Sequence, residues 1–112
     1  MKDLSFNTIN AELVCETIDQ INKDLFETKQ CVLHNVHEKT MYENTIAQLK
    51  TILSKLKTTE LQAFLYKVDI KEETLKQILR KSGSNYYMEL SKLILEREFK
   101  KVYLRKYFAS KS

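Results

Sequence analysis

Residues 86–108, YYMELSKLILEREFKKVYLRKYF, decide how this chain is built. On a helix advancing about 100° per residue, Leu90, Leu93, Ile94, Leu104 and Phe108 group on one side. Met88, Leu95, Phe99 and Val102 group on nearly the opposite side. A helix that is apolar on two sides must be covered on two sides. Either it runs through the middle of its own bundle, or a partner chain covers the second side. The sequence reading favours the partner, with Tyr86, Tyr87, Leu95, Phe99 and Val102 as contact residues. Tyrosines at an edge, an apolar body with a polar tip, are common at interfaces.

Upstream the same periodicity recurs. Val14, Ile18, Ile21 and Leu25 step by four, three and four, predicting a helix over about 8–27 that runs on to about 37 if unbroken. Thr40 with Glu43 fits a capping box, and Tyr42, Ile46, Leu49, Leu53 and Leu56 make the cleanest amphipathic pattern, about 41–57. Thr59 with Gln62 and Asp69 with Glu72 suggest two more boxes. Between them lies a dense apolar run, Leu61 to Val68, read as a buried central element. The next helix ends in Arg80 and Lys81, with Gly83 placed for a left-handed C-cap.

The expected fold is therefore all-α: a four- to five-helix, bundle-like single domain with short loops over residues 1–112, with 109–112 as a frayed tail. Composition agrees. The 112 residues include no Pro, no Trp and one Gly, which excludes turn-rich β folds and Gly-rich phosphate loops. A chain this long buries roughly 60–68% of its unfolded surface, enough for one core. No run approaches the roughly 18 apolar residues of a bilayer span, so no membrane role is expected. Two cysteines, Cys15 and Cys31, are too few for a disulfide scaffold, and a soluble protein of the reducing cytoplasm is the expectation.

Charge is uneven. Residues 1–56 hold six basic and eight acidic residues, residues 57–112 thirteen and seven. The halves of one bundle attracting each other account for this better than an anionic partner. The nucleic-acid alternative rests on Arg97, Lys101, Arg105 and Lys106 among aromatics. Against it stand the net charge of only +4 and cations that do not share one face. A helix-turn-helix over 61–81 is weakened by Glu72 and Glu73, which would open the helix meant for the groove.

The metal alternative rests on Cys31, His34 and His37, residue types that ligate zinc or iron. On one helix the trio spreads across about 120°, and no Glu-x-x-His occurs. Two surface histidines and a half-buried thiol are the plainer reading. Neither cysteine has an evident base and orienter, so no catalytic residue and no cofactor are nominated. Glu72 with Glu73, and Glu96 with Glu98, read as dipole compensation and surface solvation. The function these observations favour is a non-enzymatic protein-interaction module, self-association being one form of it.

Overall fold

The computed structural model describes residues 11–32 and 41–109. Among them five α-helices follow one another: α1 (Ala11–Asp24), α2 (Met41–Lys55), α3 (Thr58–Val68), α4 (Glu72–Ser82) and α5 (Tyr86–Ala109). Among the described residues there is no strand. The all-α architecture read from the sequence is the one found.

On α1 the four-three-four series holds: Val14, Ile18, Ile21 and Leu25 are all buried in the core. The helix does not run on. Leu25 donates to the Ile21 carbonyl (2.9 Å), a single 3-10 turn follows at Phe26–Thr28, and Lys29 takes a left-handed conformation (φ 62°). Local polar groups outcompete the helix here. The Thr28 hydroxyl donates to the Leu25 carbonyl (2.6 Å) and accepts the Gln30 N–H (3.1 Å). Asn22 then holds Val32 on both sides, accepting its N–H (2.7 Å) and donating to its carbonyl (2.9 Å).

α2 starts where the Thr40 box places it and ends two residues before the expected limit; Thr40 itself lies outside the described residues. Ile46, Leu49, Ile52 and Leu53 are buried. The other two boxes fall elsewhere. α3 begins after Lys57, whose backbone N–H is accepted by Glu60 Oε1 (2.9 Å). Asp69 opens no helix; it closes α3 in a left-handed conformation (φ 72°). Asp69 N–H bonds the Tyr66 carbonyl (3.1 Å) and Ile70 N–H the Leu65 carbonyl (3.0 Å). With Ile70 and Leu65 both buried, this is a Schellman ending with its apolar contact, and a short polar Asp tolerates the left-handed position. Gly83 does cap α4, its N–H on the Leu79 carbonyl. Its φ of 53° comes with ψ of −117°, outside the left-handed helical region.

α3 is not the central element. Phe64, Leu65 and Val68 are buried, while Gln62, Ala63 and Tyr66 face solvent. The centre is α5, which packs against α1, α2, α3 and α4. Leu90, Ile94, Leu95, Phe99 and Val102 are all buried in it. Residues of both apolar sides of the last helix are thus covered by its own chain, the first of the two options its pattern allows, while Leu104 stays 41% exposed. Leu95, Phe99 and Val102, 1%, 3% and 2% exposed, belong to the interior and present no surface to a partner. Tyr86 is half-buried against the core and Tyr87 is 37% exposed.

Candidate functional site: the polar seam between α1 and α5

On α1, Glu16, Gln20 and Asp24 are four residues apart and so lie on one stripe. α5 answers with Glu98, Lys101, Arg105 and Lys106. Lys106 Nζ donates to Glu16 Oε2 (3.4 Å) and Arg105 Nη2 to Gln20 Oε1 (3.1 Å), while Gln20 Nε2 donates to Asp24 Oδ1 (3.2 Å). Lys101 Nζ stands 3.0 Å from Glu98 Oε1 and 3.8 Å from Asp24 Oδ2, and donates to the Lys67 carbonyl of α3 (3.0 Å). The acidic first half and the basic second half of the chain do attract each other, along this line.

The innermost rung is unusual. Glu98 is wholly buried. With both acids ionised, neither of its oxygens, nor Asp24 Oδ2, has an aligned hydrogen-bond donor, so the Lys101 approach is a charge contact. Burial, then a hydrogen bond with Asp24, push the Glu98 carboxyl up to about 8, against the opposing pull of Lys101. A carboxyl in this state holds a proton near neutrality, but the core encloses it and a substrate has no path to it. The outer rungs border an open groove of about 420 Å³, with Glu16, Asp19, Gln20 and Lys23 on one wall and Val102, Arg105 and Lys106 on the other.

Glu98 was expected at the surface and is in the core. The signal was present: at about 100° per residue Glu98 falls between Ile94 on one apolar side and Val102 on the other.

The four cations of the nucleic-acid alternative all face partners within the fold. Arg97 Nη2 donates to the Asp69 carbonyl (2.7 Å) and to Asp69 Oδ2 (3.1 Å); Lys101, Arg105 and Lys106 take the seam contacts given above. Of the metal trio, Cys31 is exposed with a free thiol, and His34 and His37 lie outside the described residues. Among the described residues no group of three His, Cys, Asp or Glu is placed to hold a metal ion. No helix there is long and apolar enough to cross a membrane. At the head of α5 the Tyr86 and Tyr87 rings sit 5.5 Å apart, and burial, then Tyr87, raise the Tyr86 phenol.

Two exposed aromatics were missed by the sequence reading. Phe26 is 79% exposed and Tyr66 85%. Asp24 and Lys67 both meet Lys101, so the ends of α1 and α3 that carry these rings come together at one side chain. Comparison with protein-family models, curated proteins and solved structures gives no match to this chain.

Proposed function

We propose that the protein is a non-enzymatic helical module that acts by contact with other protein chains, a second copy of itself among them. The supporting observation is the exposure of Phe26 and Tyr66 where α1 and α3 end. Leaving a large apolar side chain in water forgoes about 1.5–3 kcal/mol relative to burial, and a partner covering both rings recovers it. The surface differs from that expected at α5, whose Leu95, Phe99 and Val102 are taken up by the core. A reducing, cytoplasmic setting belongs to this reading and suits two unpaired thiols. A nucleic-acid role has less support, since the cations it needs are already engaged.

The test has two arms. Sedimentation of the purified protein from micromolar to millimolar concentration should show a rising mass that the double variant Phe26→Ser, Tyr66→Ser lacks. In cells, a photo-crosslinking residue at position 26 or 66 should give discrete protein adducts that the same residue at the exposed position 50 does not. A monomer throughout, with crosslinks no different from position 50, removes the proposal.

A further inference from the structure

We infer that Glu98 and Asp24 hold one proton between them across the α1–α5 seam, and that losing it loosens α1 from the helix at the centre of the fold. Two carboxyl groups face each other in that seam, one from each helix, and one ammonium, Lys101, stands against both. With both acids ionised the cluster carries one negative charge in excess, and its Glu98 member is wholly cut off from water. Three buried oxygens, Glu98 Oε1 and Oε2 and Asp24 Oδ2, lack an aligned donor. A single proton on Glu98, donated to Asp24, removes the excess charge and satisfies both carboxyls.

The charged groups acting on Glu98 are Asp24 of α1 and Lys101 of α5. From α3 the Lys67 carbonyl accepts from Lys101. Lys101 is 36% exposed and also drawn toward that carbonyl, so it offsets the second negative charge incompletely. Gln20, hydrogen bonded to both Asp24 and Arg105, passes a movement of Asp24 to the outer rungs.

The direction with pH follows from linkage. The folded chain keeps a proton that the unfolded chain releases at the ordinary carboxyl value of 4.5, and lets it go only at about 8. Stability from this group is therefore full below 4.5 and is lost as pH rises to about 8. The reading is the difference between the parent protein and Glu98→Gln, which share every other ionisable group. Chemical unfolding of the two proteins is measured from about pH 5 to about pH 9. The folding equilibrium of the parent should fall relative to the variant by up to about tenfold per pH unit and level off above the window. Amide exchange at the alkaline end should be faster in α1 of the parent than in α1 of the variant, with α2 unchanged. Parallel unfolding curves, or a parent that gains stability with pH, overturn the inference. If Glu98→Gln does not fold, a carbon-detected NMR titration of the Glu98 carboxyl in the parent decides. An inflection near 8 supports the shared proton, and one at the ordinary carboxyl value refutes it.

Discussion

Replacing Asn22 with alanine tests how the chain turns back after α1. One side-chain amide satisfies both backbone groups of Val32, a core residue ten positions on. Removing it breaks two hydrogen bonds, each contributing about 0.5–1.5 kcal/mol net. It also leaves the Val32 N–H and carbonyl to find water from a part-buried position, at about 1–3 kcal/mol for a group that does not. Against this, alanine is the better helix former by about 0.5 kcal/mol. The loss outweighs the gain, and a net destabilisation of about 2 kcal/mol is expected. That is a large share of a stability of about 5–15 kcal/mol, and lowers the melting temperature by roughly 10 °C in a domain of this size. Asn22→Asp separates the two bonds: it keeps the acceptor for the Val32 N–H but sets a carboxylate against the Val32 carbonyl. It should be about as damaging as alanine. Urea unfolding followed by circular dichroism gives the free energies, and native-state hydrogen exchange reads the Val32 amide directly. If Asn22→Ala unfolds within about 0.5 kcal/mol of the parent and Val32 keeps its protection, the clamp has no energetic weight and the account of the turn is wrong.

Two further outcomes bear on the fold and its surface. Phe99→Ala should cost about 3–5 kcal/mol because it opens a cavity in the middle of α5, whereas Tyr66→Ala, with most of its ring in solvent, should stay within about 0.5 kcal/mol of the parent by thermal unfolding. Lys29→Gly should raise stability by up to about 1 kcal/mol in urea titration, since a left-handed φ of 62° strains a residue with a Cβ and not a glycine; an equal loss would mean that the Lys29 side chain does something its exposure does not reveal.

The helices themselves were readable. Spacings such as Leu49 to Leu53 state which flank must be buried, and that requirement was met. What spacing does not state is who covers the flank. The double apolar character of α5 was seen correctly, yet it arose from four helices of the same chain and not from a visitor. Caps were harder, because Asp69 offers its short side chain equally to a helix start and to a left-handed helix end, and tertiary packing of Ile70 on Leu65 chooses the second. The turn after α1 depends on Asn22 reaching Val32, a pairing across ten residues that no local pattern announces. Glu98 was missed for the opposite reason. It sits on the apolar stripe where a hydrophobic residue belongs, and residue type was given more weight than position. The acidic partner and the cation that make it tolerable there, Asp24 and Lys101, are 74 and three residues away.

The placement of α5 has a bearing on how the protein is born. It is the mast of the assembly and is made after the other four described helices. Until it emerges, Ile18, Leu49, Leu53 and Phe64 lack the helix against which the others mainly pack. At a synthesis rate of about 5–20 residues per second, those four helices spend about a second or more with their inner apolar faces unroofed. Moving this segment to the front of the chain would let each following helix dock as it is made.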